Sequence, residues 1–513
     1  MRPVRLALIV LLLAAVVPAS ASAQRLPVAP AQVLTTPQLI ERAVESGTVD
    51  RYTADLYLAY AIAAPTKLPP AFMSAAPWKG TLPLLELRER VDAMPAGVQR
   101  STLDDLVGDL SPSADLCGIF GPFVTTHAVE SAHFRVEYVP GTIGGGLTVE
   151  AYLQSLEGAW SSQVDEFGWA APPLTGQKYL VRLDPTFGAA GLYGYVAATE
   201  DVGDNPNTTW NEGDAYASCM GLSSDYTRFP GTPQQALDAT TAHEFNHSIQ
   251  FGYGALIGSG RPDAAFSEGG ATWMEDEVYD GADDNYNYLW PSFSDSMGAY
   301  GQSPYPYWIT FRGLTERFGT STPGGGEQVM QDFWEETSKG SSHNLTAMQK
   351  AMQNKGLSLG AAFHDYAIAV RFNRTCGGGY ALPHCFEEAA GYVDAAAPPG
   401  APLSAGLNGA IDNTVKDDYA IAWVRLPEGA SYTMTLANRD SAGLLRGSVV
   451  CDTGTSMRMT SLPSVLGPGA QAAVSVDSGG CESIFAVITN EHQTAANPSS
   501  SSGRQFRLTT ASS

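Results

Sequence analysis

Two histidines four positions apart, His243 and His247, enclose Glu244, Phe245 and Asn246. On an α-helix that spacing puts both imidazoles on one face, one turn apart. Imidazoles so placed can share one zinc ion, and Glu244 can take a proton from water held there. Two protein ligands leave zinc under-coordinated. Glu268, twenty-one positions after His247, is the expected third ligand, and a fourth position then stays open for water, as a hydrolytic zinc site requires. Hydrolysis of an acyl group also needs a donor for the developing oxyanion. Tyr305 is the first candidate for that donor, with Tyr307 and Tyr300 as alternatives. Packing around a proline-rich turn is the competing reading of each tyrosine. Glu275 either buttresses the ligand helix or is an ordinary surface carboxylate.

The elements that must carry these residues are legible nearby. Thr232, Pro233 and Gln235 form a Thr-x-x-Gln capping box that starts the helix of the two histidines, and Gly252 and Gly254 end it. Upstream, His133 to Tyr138 alternates like a strand, Thr148 caps a helix to Phe167, Lys178 to Leu183 is a strand, and Gly191 to Ala198 is another. The last strand is expected at the lip of the cleft, where an extended peptide can add to a sheet edge. Downstream, helices are expected at the stretch ending near Phe318-Gly319 and at Glu327–Lys339, Asn344–Lys355 and Leu359–Phe372. Residues 36–64 read as helix, followed by a proline-rich connection from Pro65 to Pro77. Beyond the linker Ala395–Pro402, short alternating runs separated by Gly, Pro, Asn and Ser predict a small β-sandwich.

Glu268-Gly269-Gly270-Ala271-Thr272-Trp273-Met274-Glu275 resembles the Glu-Gly-x-Ala-Ser/Thr-x-x-Glu segment of aminopeptidase N-like gluzincins. The spacing from His247 to Glu268 is also close to that of thermolysin. The specific motifs span His243 to Glu275; the looser layout, which resembles secreted bacterial gluzincin metalloproteases, covers most of the chain. The resemblance implies that His243, His247 and Glu268 hold zinc and that Glu244 is the general base. Two positions depart from it. Thr272 stands where thermolysin-like enzymes carry an Asp that orients a histidine. The Gly-x-Met-Glu-Asn segment that holds a substrate amino terminus in aminopeptidase N-like enzymes is missing, which favours cleavage of internal bonds.

The remaining features concern destination and class. Arg2 and Arg5, an apolar run from Leu6 and Ala21-Ser22-Ala23 predict a signal peptide over residues 1–23, cleaved before Gln24. Loss of the two arginines takes the 29 basic residues to 27 against 53 acidic ones, a net charge of −26. Such a surface opposes nucleic-acid binding. The acidic run Glu275, Asp276, Glu277, Asp280, Asp283, Asp284 could attract Ca2+, or be a solvated face. No later stretch predicts a transmembrane segment. Six cysteines in an exported chain suggest three disulfides: Cys376–Cys385 and Cys451–Cys481 by proximity, Cys117–Cys219 by elimination. The expected class is α+β: a helical segment over 24–115, either a removable pro-region or a permanent part of the fold, a zincin-like catalytic domain with a mixed sheet over 116–395, and the sandwich over 404–513. The expected function is a secreted zinc endopeptidase acting on protein or peptide substrates. The alternatives are a secreted binding or adhesion protein with a structural zinc site, and an exported aminopeptidase.

Overall fold

The computed structural model describes residues 33–107, 127–257, 261–289, 304–319, 322–340, 344–395, 403–415, 419–441, 443–491 and 504–512. The expected signal peptide, Cys117 and Tyr300 lie outside these residues, as does most of the linker. Thr35–Ser513 forms one compact unit, and its architecture is α+β.

Helices α1 (Thr36–Glu45) and α2 (Arg51–Ala63) replace the single helix expected over 36–64. The break is physical: Gly47 adopts φ +70°, a conformation that glycine reaches without a Cβ clash, and Asp50 caps the second helix. Two short 3₁₀ turns lead to α3 (Thr81–Asp92) and α4 (Val98–Val107). The apolar faces of these helices (Ile40, Leu58, Ile62, Leu87, Leu103) share a core with Phe187, Leu192, Tyr195, Ala197 and Cys219. The N-terminal helices therefore cover one face of the sheet that follows.

That sheet contains β1 (His127–Glu130), β2 (Phe134–Tyr138), β3 (Tyr179–Asp184), β4 (Gly194–Gly203) and β5 (Ala215–Ser223), in the order β1-β2-β3-β5-β4. Strands β2, β3 and β5 run parallel, whereas β1 and β4 are antiparallel to their neighbours. The crossover from β2 to β3 is α5 (Val149–Trp160), capped by Thr148 and extended by a π turn over Ser161–Glu166. Strand β5 has no counterpart in the sequence reading. Ala-Tyr-Ala-Ser-Cys-Met-Gly-Leu-Ser is poor in branched residues, but all of it except Tyr216 is buried, so packing outweighs propensity. A short α6 (Phe187–Ala190) precedes β4.

On the other face lies α7 (Pro233–Gly252), between the sheet, α5 and α8 (Ala264–Val278). Further helices complete this layer: α9 (Trp308–Thr315), α10 (Glu327–Ser338), α11 (Asn344–Asn354), α12 (Leu359–Phe372) and α13 (Ala389–Ala395). Beyond α13 the elements among the described residues are strands: β6 (Leu403–Ser404), β7 (Ala410–Val415), β8 (Ile421–Arg425), β9 (Ser431–Asn438), β10 (Leu444–Asp452), β11 (Met457–Ser461), β12 (Gln471–Asp477), β13 (Ser483–Glu491) and β14 (Arg504–Ser512). They form two sheets, β11-β10-β13-β8-β6 and β12-β9-β14-β7, with a common core that includes Leu436, Leu445, Ile484, Phe506 and Leu508. The first of these sheets docks on α12, where Trp423 Nε1 donates to the Ala367 carbonyl at 3.0 Å and His364 bonds to Ser448 and Thr489. Cys376–Cys385 and Cys451–Cys481 are disulfides as expected. Cys219 is also disulfide-bonded.

Candidate metal centre

The helix of the two histidines starts as its sequence dictates. Thr232 Oγ1 accepts from the Gln235 N–H and the Gln235 side chain accepts from the Thr232 N–H, closing the capping box. Because α7 is wrapped by the sheet and by α5 and α8, every residue from His243 to Gly252 is buried. Helix α8 then brings Glu268 to the two imidazoles. Gly269, the next residue, lets the chain at Pro304–Tyr307 come close: a Cβ there would stand 2.8 Å from Tyr307 Cβ and 3.2 Å from the Pro304 carbonyl oxygen.

The candidate ligand atoms of His243, His247 and Glu268 lie within 4.8 Å of one another. The two Nε2 atoms are 3.1 Å apart. Glu268 Oε2 is 3.2 Å from Nε2 of His243 and 3.5 Å from that of His247. Each Nδ1 faces an oxygen: Glu275 Oε1 at 2.8 Å for His243, and Gln250 Oε1 at 2.8 Å for His247. With the ring protons on Nδ1, facing those acceptors, two bare nitrogen lone pairs converge beside a carboxylate oxygen, an arrangement that a cation satisfies; the Lys79 ammonium also lies 3.2 Å from His243 Nδ1. Zinc bonded to both nitrogens at ~2.0–2.1 Å would hold them roughly 3.3 Å apart, so the donor set fits a metal of that kind.

Around the ligands is a second ring of hydrogen bonds, of the kind that orients metal-binding histidines. Gln250 Nε2 donates to Asn246 Oδ1 at 2.7 Å, Asn246 Nδ2 to Gln163 Oε1 at 3.1 Å, and Gln163 Nε2 to the Ala242 carbonyl at 3.0 Å. Glu244 Oε2 accepts from Thr81 Oγ1 at 2.7 Å, and Thr81 Oγ1 accepts from the Val196 N–H. Glu244 Oε1 is buried with no hydrogen-bond partner. Lys79, also in the N-terminal segment, pairs with Glu275.

The electrostatics follow from burial. Burial holds the His243 imidazole well below its ordinary value, with Lys79 adding to the effect. It pushes Glu244 up to about 7, against the pull of His247 and Thr81. Burial also works against charge on Glu268, but the two histidines keep its carboxyl well below the usual range. In His247 burial is outweighed by Glu268, which raises the ring above its ordinary value. The carboxylate draws positive charge to this point, which a proton or a metal ion can supply.

The other expected site residues separate. The Tyr305 ring lies beside His243, centroid to centroid 6.3 Å, and 5.0 Å from Tyr288. Tyr307 is buried in the core and packs toward Gly269. Glu275 is buried and answers His243, so it is no surface carboxylate. The acidic run does not act as one chelating loop. Asp276 and Glu277 pair with Arg312, while Asp284 accepts from Tyr193. Asp276, Asp280 and Glu388 form a second group of mutually close carboxylates, into which Arg312 also reaches, 3.2 Å from Glu388. Strand β4 lies at the edge of its sheet, as expected, but its start is not free. Its first residues, Leu192–Gly194, are paired with Trp78–Gly80 of the chain itself. Lys79, Thr81, Gln163 and Gln250 were not singled out from the sequence. Only Gln250 carries a local signal, one helical turn after His247.

No protein-family model matches the chain, and no curated protein matches it. Among solved structures it is similar to the pre-peptidase C-terminal domain of a collagenase from Bacillus anthracis, at 11% identity over 22% of this chain and 98% of that one, with a TM-score of 0.15. A likeness at that score carries no argument about fold or chemistry.

Proposed function

We propose that the protein is a zinc-dependent peptidase of the gluzincin type, with a zincin-like catalytic core and a C-terminal β-sandwich, exported behind a cleaved signal peptide and acting on internal bonds of proteins or peptides. One observation carries the reading: two imidazole lone pairs and a carboxylate oxygen converge in a buried site, beside a carboxylate that has an unpartnered oxygen. Three protein ligands with a carboxylate alongside are what a hydrolytic zinc site uses. The disulfides Cys376–Cys385 and Cys451–Cys481 and the lack, among described residues, of any helix long and apolar enough to cross a membrane accord with export.

In this reading His243, His247 and Glu268 hold the ion, which when bound acidifies water and polarises a carbonyl. Glu244 is the general base. Thr81 fixes Oε2, which leaves Oε1 to take the proton, and a carboxyl pushed up to about 7 is matched to proton transfer near neutrality. The same group returns the proton to the leaving amine. Tyr305, whose ring lies beside that of His243, is the candidate donor to the oxyanion. Glu275 and Gln250 keep both rings in the tautomer that offers Nε2.

The test compares wild type with Glu244→Gln for bound zinc, by elemental analysis, and for casein hydrolysis. The reading requires zinc in both proteins and a loss of hydrolysis of about 10²–10⁴-fold in the variant. Equal activity in the two, or no zinc in wild type, refutes it. A second reading is favoured by the burial of all three candidate ligands and the covered start of β4: a zinc clamp that holds α7 to α8 in a binding protein. It requires bound zinc, no hydrolysis by wild type, and a folded Glu244→Gln variant indistinguishable from it.

A further inference from the structure

We propose that Lys79 is a positioning residue of the metal centre, delivered by the N-terminal segment to fix Glu275 against His243, so that this segment is a working part of the site. The inference rests on the metal-centre reading above and concerns a residue 164 positions away from the ligand it serves.

The local backbone leaves Lys79 little choice of direction. Trp78 N–H donates to the Gly191 carbonyl at 2.9 Å, Tyr193 N–H to the Trp78 carbonyl at 3.0 Å, and Gly80 N–H to the Gly194 carbonyl at 2.8 Å. Trp78 Nε1 donates to the Ala190 carbonyl at 2.9 Å, and Thr81 is tied to Val196 and Glu244. Gly80 lies so near the strand that a Cβ would stand 3.0 Å from Leu192 Cδ1 and 3.1 Å from the Gly194 carbonyl oxygen. Both flanks of Lys79 are thus pinned to the start of β4, and its side chain runs into the site.

There the Lys79 side chain is 1% exposed. A lysine this deep is costly unless it is paired. It forms an ion pair with Glu275 Oε1 and lies 3.9 Å from Asp284 Oδ2, within a cage of the Tyr193, Tyr288 and Tyr305 rings at 5.7, 5.2 and 5.8 Å. His243 Nδ1 meets the same oxygen, Glu275 Oε1, and lies 3.2 Å from the Lys79 ammonium itself. Lysine and histidine therefore converge on one acceptor. The cation selects the carboxylate rotamer, and the carboxylate orients the ring that binds metal. Remove the cation, and Glu275 and Asp284 face each other as buried like charges, with no ammonium to hold either in place.

The rest of the segment agrees with a permanent role. Its helices share their core with Phe187, Leu192, Tyr195, Ala197 and Cys219. Shedding them would strip Lys79 and Thr81 from the centre and expose that apolar face of the sheet.

The experiment measures zinc affinity by competition with a chromogenic chelator on the full-length protein, for wild type, Lys79→Met, Glu275→Gln and the double variant. Thermal unfolding of each zinc-free protein accompanies the titrations. Each single change is expected to weaken zinc binding by about 10- to 100-fold. The double variant should lose clearly less than the sum of the two single losses, because Lys79 and Glu275 act together on one atom, His243 Nδ1. If Lys79→Met does not fold, Lys79→Gln, which keeps a donor without the charge, takes its place. Wild-type affinity in a folded Lys79 variant, or losses that add in the double variant, overturns this inference alone. A wild type that binds no zinc overturns the metal-centre reading and this inference with it.

Discussion

The Nε2 atoms of His243 and His247 face each other at 3.1 Å, while the Nδ1 of each ring faces an oxygen. Two lone pairs held together in a buried site repel unless a cation lies between them. Chelation should therefore lower the melting temperature, and zinc should restore it. Saturation at about 1,000 times the dissociation constant is worth about 4 kcal/mol. Calorimetry with and without a chelator measures this, and an unchanged melting temperature counts against a metal at this point.

Thr81 links the N-terminal segment to Glu244 and to the Val196 N–H at once. Thr81→Val keeps the shape but leaves a buried carboxylate oxygen and a backbone donor without this partner. We expect a loss of about 1–3 kcal/mol in denaturant unfolding, and substantial recovery in Thr81→Ser. Equal stability of Thr81→Val and wild type would show that the hydroxyl bonds contribute nothing net.

Two adjacent glycines of α8 should behave differently. A Cβ at Gly269 meets Tyr307 Cβ at 2.8 Å, whereas one at Gly270 meets only Met330 Cε, at 3.4 Å. Gly269→Ala should destabilise by about 1–3 kcal/mol through overpacking. Gly270→Ala should be neutral or stabilise by up to about 1 kcal/mol, the helix preference for alanine. Urea midpoints for the pair test the contrast; matching midpoints would mean that the Tyr307 segment gives way.

His364 joins α12 to the C-terminal sheets through Ser448 and Thr489. Burial pushes its imidazole down to about 3, with Arg446 and His384 adding to the effect and Asp365 opposing it. The folded value is below the unfolded one, so the unfolded chain takes up this proton first as pH falls. Stability from His364 is complete above about pH 6.5 and declines toward about pH 3, by at most about 1.4 kcal/mol per pH unit. His364→Gln should remove that share of the slope in urea titrations between pH 6 and pH 4. An identical slope in the variant would rule His364 out as its source.

Local chemistry was written into the sequence wherever a short spacing implies a geometry. The pair His243 and His247 needs only the helical repeat. Thr232 with Gln235, and Thr148, mark helix starts by hydrogen bonds within one turn. Cys376–Cys385 and Cys451–Cys481 are separated by 9 and 30 positions, short enough for proximity to decide. Alternation marked the region beyond the linker as strands.

Tertiary structure decided what no spacing encodes. Strand β5 is built of small residues, and becomes a strand because β3 and β4 flank it and helices cover it. Glu275 could have faced water; the packing of α8 on α7 turns it to His243. Lys79 and Thr81 stand in a stretch with no motif, and reach the centre only because Trp78–Gly80 pairs with the start of β4. A helical or alternating repeat reports which residues share a face of one element. Which faces meet depends on how whole elements pack, and that sum over many distant contacts is not present in any local pattern.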